Sequence, residues 1–303
     1  MDIFLPIARM SVPVFTIAGL GGLVGLLSGM FGVGGGFLMT PLLMMLGIPP
    51  AVAVASDTNQ IVAASVSGTL AHSKKKNVDF QMGFIIVIGG LVGGSLGTVL
   101  VKILRSLGNF DLVLKTAYVV MLFLVGSFMF MESLSALKKK GESDKGEKTA
   151  VSGLLKRLPM KKYFEVSGIE ASIPALLALG LLTDVLAAVM GVGGGFIMLP
   201  VMIYLIGMPL RNSVGTSAFV VIFTAINVTI AQSAINHTVD LVLAMLLLLG
   251  SSAGAQIGAR LGGRLKAAQL RIAFSIIVLL VMAKMTMDLL SPPASLIIQG
   301  GVL

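Results

Sequence analysis

The chain contains no cysteine, which excludes disulfides, thiolate metal sites and cysteine nucleophiles. It has two histidines, His72 and His237, too few for a histidine-rich metal site. Charge is scarce as well: 12% of the 303 residues are charged, against 56% that are hydrophobic. A soluble domain has no use for so much apolar surface, and the composition predicts a polytopic membrane protein. The net charge of +9 is of a kind that nucleic-acid binders share. Here, however, the cations sit in short connections and one central linker, as the positive-inside rule requires, and not along a helix face. The start, Met1-Asp2-Ile3-Phe4, lacks a basic n-region and no small-residue cleavage site follows, so a removed signal peptide is not expected.

What the chain does have is glycine, and one glycine phrase twice. Gly32 to Phe37 and Gly191 to Phe196 both read GVGGGF, each followed by a proline four residues past the Phe (Pro41, Pro200) and then by Gly-x-Pro at Gly47 and Gly207. Val14 to Gly47 is almost uninterrupted apolar sequence; as one helix it would measure roughly 50 Å at 1.5 Å per residue, against a bilayer core of about 30 Å. The glycines are the place to break it, which turns each run into a helical hairpin with its tip inside the membrane. Bare backbone at that depth is tolerated only where it is buried in protein or lines a polar cavity, so the tips predict a cavity. The half-helix that starts after each tip points unsatisfied N–H groups and its positive dipole end there, an arrangement suited to an anion.

In chain order, a hairpin (Val14 to Gly47) and spans near Ala51–Ser73, Phe80–Leu104 and Leu112–Leu134 form a first membrane repeat over residues 1–135. A charged linker, 136–165, is expected to be flexible and cytoplasmic, with room for one surface helix. The second repeat, 166–303, has the same order: a hairpin (Ile169 to Gly207), then spans near Asn212–Ile235, Val239–Leu261 and Ala268–Leu290. The likeness extends to Gly89, Gly93 and Gly97 against Gly250, Gly254 and Gly258, a duplication with small-residue faces for close helix packing. The halves carry opposite charge signatures. Lys74, Lys75 and Lys76 close the second element of the first half, whereas Arg260, Arg264, Lys266 and Arg271 crowd a later loop of the second. Placing these loops and the linker in the cytoplasm makes the repeats inverted, with Lys102, Arg105 and Lys115 running against the rule. The expected fold is therefore an all-α polytopic membrane protein of two inverted repeats, each a glycine-tipped re-entrant hairpin plus three transmembrane helices.

Polar residues within apolar elements carry functional weight because hydrocarbon penalises them. Ser56-Asp57-Thr58-Asn59-Gln60 stands where the second half has Thr216-Ser217-Ala218-Phe219-Val220, and Asp184 stands where the first half has Gly25. Asp57 and Asp184 each read either as a protonation site coupled to cargo or as a helix-terminal carboxylate. Asn227, Gln232 and Gln256 read as interhelical hydrogen-bond partners, and Lys284 as a snorkelling cation. GVGGGF lacks the Gly-Lys-Ser/Thr ending of a P-loop, and the dinucleotide pattern Gly-x-Gly-x-x-Gly is absent. No nucleophile, base and orienting group recur together, so neither an enzyme nor a cofactor is expected.

The stretch GMFGVGGGFLMTPLLMMLGIP with its second copy MGVGGGFIMLPVMIYLIGMP, the VAVASDTN and SVGTSAF segments, and GGSLGTVL with GAQIGARL together resemble the TauE/SafE sulfite exporter family, also called the sulfonate uptake permease family. That resemblance implies a secondary transporter of sulfur-containing oxyanions or organosulfonates in the bacterial inner membrane, with sulfite export as the named activity. The rival readings are a proton- or sodium-coupled importer of sulfonate or thiosulfate, a channel-like anion conduit, and a membrane scaffold whose linker docks a soluble partner. Carried onto this chain, the resemblance implies a substrate site of Gly34, Gly35, Gly36 and Phe37 with Gly193, Gly194, Gly195 and Phe196. Ser56, Asp57, Thr58, Asn59, Thr216 and Ser217 would line it. Asp57 would have to be protonated beside an anion, which makes it a coupling candidate together with Asp184.

Overall fold

The computed structural model describes residues 2–31, 36–108, 110–138, 159–262 and 267–290. Among them are ten α-helices: α1 (Val14–Phe31), α2 (Gly36–Met45), α3 (Pro50–Ser73), α4 (Phe80–Ser106), α5 (Phe110–Lys138), α6 (Ile173–Met190), α7 (Gly195–Pro200), α8 (Leu210–Ala231), α9 (Leu241–Gly262) and α10 (Ala267–Leu290). π-helical turns prolong α7 to Ile206 and α8 to Asn236. The helices agree with the expected spans to within a turn. The exceptions lie at the entries to α1 and α6, which are antiparallel hairpins of four-residue strands: β1 (Asp2–Leu5) with β2 (Met10–Pro13), and β3 (Lys161–Phe164) with β4 (Ile169–Ser172). The second helical hairpin therefore starts at Ile173, where Ile169 was expected. Of the expected linker, 136–138 finish α5, β3 occupies 161–164, and residues 139–158 lie outside the described ones.

Helix α4 shows how the chain is built for lipid. Its outward side carries Phe84, Ile88, Val92, Leu96, Val99 and Ile103, all exposed, while the buried side includes Gly89, Gly90, Gly93, Gly94 and Gly97. A water-soluble bundle puts bulk inside and small or polar groups outside; this reversal suits a solvent as apolar as leucine, where close backbone approach drives helix association. By length and composition, four described helices can cross a bilayer: Phe80–Ser106, Ile173–Met190, Asn212–Asn236 and Leu241–Gly258.

The glycine faces set which helices meet. An added Cβ at Gly250, Gly254 or Gly258 of α9 would lie 2.2, 2.0 or 2.0 Å from the carbonyl oxygens of Ala18, Gly22 and Leu26, so α9 runs parallel to α1 with backbone on backbone. In the same way Gly89, Gly93 and Gly97 of α4 abut the carbonyls of Leu177, Leu181 and Val185, so α4 runs parallel to α6. In the centre, α3 and α8 are antiparallel: His72 lies by Gly215, Gly68 by Ala218, and Ile61 by Val221 and Ala225. Helix α4 also follows α8 in parallel, with Gly83 on Phe219, Gly90 on Thr224 and Gly94 on Val228. The Asp240 N–H donates to Ser56 Oγ, which starts α9 beside the beginning of α3, and the Asp79 N–H donates to Thr216 Oγ1, which starts α4 beside that of α8. Helices α1, α3 and α9 thus run one way, and α4, α6 and α8 the other.

These seams tolerate no side chain at their glycines. At Gly93 a Cβ would lie 2.2 Å from the Leu181 carbonyl, whereas Gly19, on the same helix as the other seam, has nothing within 4 Å. Gly93→Val should destabilise the detergent-solubilised protein by about 3 kcal/mol, and Gly19→Ala should leave it unchanged, as read by thermal unfolding and size-exclusion chromatography.

Candidate functional site

The start of α2, just after the first glycine phrase, and the second hairpin tip meet at the middle of α3. Helix α2 runs antiparallel to α3, with Thr40 against Asp57 and Gly36 against Ile61, twelve residues into that helix. The second tip reaches the same place from the other half: an added Cβ at Gly191 would strike Val54, and at Gly193 would lie 2.6 Å from Ile61. Gly193 and Gly194 have φ of 67° and 71°, a left-handed conformation that favours glycine, and the Gly195 N–H donates to the Gly193 carbonyl at 2.8 Å. Phe37 and Phe196, the first side chains after the glycines, stack with ring centroids 4.1 Å apart and planes 8° apart, and both are 2% exposed. The described parts of the tips are thus packed on each other and on α3, whereas the sequence reading expects a cavity there. Gly34 and Gly35 lie outside the described residues.

Two buried carboxylates flank this meeting point in different surroundings. Asp57 on α3 is fully served: Thr40 Oγ1 donates to Oδ2 at 2.9 Å and Gln60 Nε2 donates to Oδ1 at 2.6 Å. Tyr118 of α5, itself buried, stands beside Thr40, and its hydroxyl donates to the Met190 carbonyl at the end of α6. A polar chain therefore runs from α3 through α2 and α5 to the last turn before the second tip. Asp184 on α6 is 1% exposed, neither of its oxygens has a well-formed hydrogen bond, and the polar group nearest to them is the Thr224 hydroxyl of α8. It fits only because its neighbours are glycines: an added Cβ would lie 2.1 Å from its Oδ2 at Gly90 and 2.7 Å from its Oδ1 at Gly194.

The other sequence-derived residues are bonded within the scaffold. Ser56 and Thr216 accept from Asp240 and Asp79. Thr58 Oγ1, Asn59 Nδ2 and Ser217 Oγ donate to carbonyls of their own helices, those of Val54, Ala55 and Val214. Asn227 bonds Leu91 and Ser95 of α4, and Gln232 bonds the Ala188 carbonyl of α6, as interhelical partners; Gln256 is exposed. Lys284 pairs with Asp288 one turn on.

Sequence reasoning passed over Thr40 and Tyr118, which only tertiary packing brings to Asp57, and a matched pair of aspartates. Asp240 receives the Ile7 N–H at 2.9 Å, the Ala8 N–H at 3.4 Å and the Leu243 N–H at 3.1 Å. Asp79 receives the Met82 N–H at 3.0 Å and the Ser167 hydroxyl at 2.6 Å. Each caps a helix of one half and holds the β-hairpin turn of the other. The signal was present as Val78-Asp79-Phe80 and Val239-Asp240-Leu241 at matching places in the two halves, a cap residue before an apolar run.

Among known families, the model described as "Sulfite exporter TauE/SafE" matches residues 17–285. A probable membrane transporter protein of Bacillus subtilis (strain 168), YunE, is 26% identical over 75% of this chain and 80% of its own length. A probable membrane transporter protein of Xylella fastidiosa (strain 9a5c) is 28% identical over 77% of this chain and 78% of its own. YjnA of B. subtilis, likewise a probable membrane transporter protein, is 26% identical over 77% and 84%. No solved structure matches the chain.

Removing the Asp240 carboxylate would leave three N–H donors without an acceptor in a buried site. Asp240→Ala should therefore cost about 3 kcal/mol, measured as a fall in unfolding temperature, and Ser167→Ala, which removes one donor from Asp79, should cost about 1 kcal/mol.

Proposed function

The chain belongs to the sulfite exporter TauE/SafE family of membrane transporters, and on that premise we propose that it is a secondary transporter of small sulfur-containing anions whose activity is sulfite export across the bacterial inner membrane by alternating access. The observation that carries this reading is the meeting of two glycine-tipped hairpins, one from each half, at the midpoint of α3. Helices α2 and α7 both begin there, so backbone N–H groups and two positive dipole ends converge on one spot, which favours an anion of either sulfur-oxide or sulfonate type. The cargo contacts the tip backbone at Gly34, Gly35 and Gly36 and at Gly193, Gly194 and Gly195, with Phe37 and Phe196 closing over it. Ser56, Thr58, Asn59, Thr216 and Ser217 each use one hydrogen bond in the scaffold and keep further capacity toward the cargo path.

We read the halves as inverted repeats. Support comes from helix direction, since α1 and α3 run opposite to their counterparts α6 and α8, and from the mating of contacts: α1 with α9 answers α6 with α4, and Asp240 on the β1–β2 turn answers Asp79 on the β3–β4 turn. With the Lys74–Lys76 loop and the linker in the cytoplasm, rocking of one bundle against the other exposes the tips to either side in turn. A membrane potential negative inside drives a free anion outward, which gives export its direction.

Sulfite flux in proteoliposomes of the purified chain tests this. The expected result is saturable uptake with counterflow of labelled sulfite, inhibited by thiosulfate or a small sulfonate if these share the site. Gly193→Ala, which must strain a left-handed residue and press on Ile61, should lower the flux at least tenfold. Flux that never saturates and shows no counterflow would establish a pore instead, and no flux of any sulfur anion would remove the cargo.

A further inference from the structure

Of the four buried carboxylates among the described residues, Asp79 and Asp240 cap helices, and the two beside the tips, Asp57 and Asp184, are not equivalent. Asp57 has a donor on each oxygen, Thr40 of α2 and Gln60 of its own helix, and the Thr40 bond ties α2 to α3. Asp184 has no well-formed hydrogen bond on either oxygen and only the Thr224 hydroxyl beside it, yet Gly90 and Gly194 both leave out a side chain so that it fits. Buried polar groups are as a rule hydrogen-bonded, and an ionisable group inside a membrane protein that is left unserved marks an ion pathway or relay before it marks a scaffold. Its counterpart in the first half is Gly25, where a Cβ would lie 2.3 Å from the Ser251 carbonyl; that half has no room for the group at all. The carboxylate is therefore an addition to one repeat, placed against the backbone of the tip.

Resting on the transport reading above, we propose that Asp184 is the proton-carrying group of this transporter, taking up a proton when the anion occupies the tips and giving it back when the anion leaves. An unneutralised carboxylate touching Gly194 repels an anion held by the same tip backbone, and one proton on Asp184 removes that repulsion without any movement of the chain. A metal cation does not suit the place. Among the described residues no group of three His, Cys, Asp or Glu side chains that could hold a metal ion exists. No fixed charge competes for the proton either. Helix α4 presents Gly90, with Lys102 and Arg105 at its far end; α5 brings Tyr118, bonded to Met190, with Asp111 and Lys115 on earlier turns; α8 presents Thr224; β4 carries Glu170 at the other end of α6; and Asp57 on α3 is held by Thr40 and Gln60. Proton and anion then travel together, so the pH gradient adds to or opposes the anion's own gradient.

Two readouts on the full chain test this. In proteoliposomes at zero potential, with protein-free liposomes as the blank, an acid-outside pH gradient should make the parent accumulate sulfite at least tenfold, while Asp184→Asn, or Asp184→Ser should the first variant misfold, only equilibrates it. In infrared difference spectra of the purified protein stepped through pH, without any cargo, a protonated-carboxyl C=O band should appear in the parent and be missing from the Asp184 variant. Gradient-driven accumulation that survives in the variant overturns the proposal. So does a band that survives there and disappears in Asp57→Asn. If no sulfur anion moves in the parent but the band is present and depends on Asp184, the transport reading fails and the proton site stands.

Discussion

Phe37 stacked on Phe196 marks where, among the described residues, the two halves of the chain bring the starts of α2 and α7 together, and the rest of the structure answers to it. Peptide groups there have no water to bond, so the tips must pack densely on each other and on a helix that passes them. Helix α3 does this with Val54 and Ile61, residues whose side chains fill the space that glycine leaves at positions 191, 193 and 36. The polar bonds then arrange themselves around that packing. Thr40 of α2 bonds Asp57 of α3, and Tyr118 of α5 bonds the carbonyl of Met190, so the two hairpins are held by helices of the first half on both sides.

A second layer of constraint lies at the helix ends. Asp79 and Asp240 each satisfy the first-turn amides of a helix and, with the other oxygen, the turn of a β-hairpin from the opposite half. Cap and clasp are one side chain, so the entry to each hairpin cannot shift without the start of a helix in the other half shifting too. The glycine seams are the other constraint: α1 on α9 and α6 on α4 are backbone-to-backbone contacts, the close approach that small residues allow in lipid.

Much of this was legible in the sequence, and for identifiable reasons. The doubled GVGGGF and its trailing prolines located the hairpins, because apolar length and glycine are local signals, and every-fourth glycine located the seams. The β-hairpins escaped because four-residue strands leave no period to read and one of them falls in a stretch that charge alone marks as linker. Thr40 and Tyr118 escaped because nothing local ties them to Asp57; the fold does. The sequence offered Asp57 and Asp184 alike as coupling candidates, but only the fold shows that donors satisfy both oxygens of Asp57 and leave Asp184 without a well-formed hydrogen bond.

The central claim is that the two tips form one contact that must open for cargo to pass. The native absence of cysteine makes the decisive measurement direct. In the Phe37→Cys, Phe196→Cys double variant, a short bis-methanethiosulfonate reagent or mild oxidation should join the tips, sulfite flux should stop, and reduction should restore it, with neither single variant responding. A joined protein that carries sulfite at the unjoined rate would contradict the account.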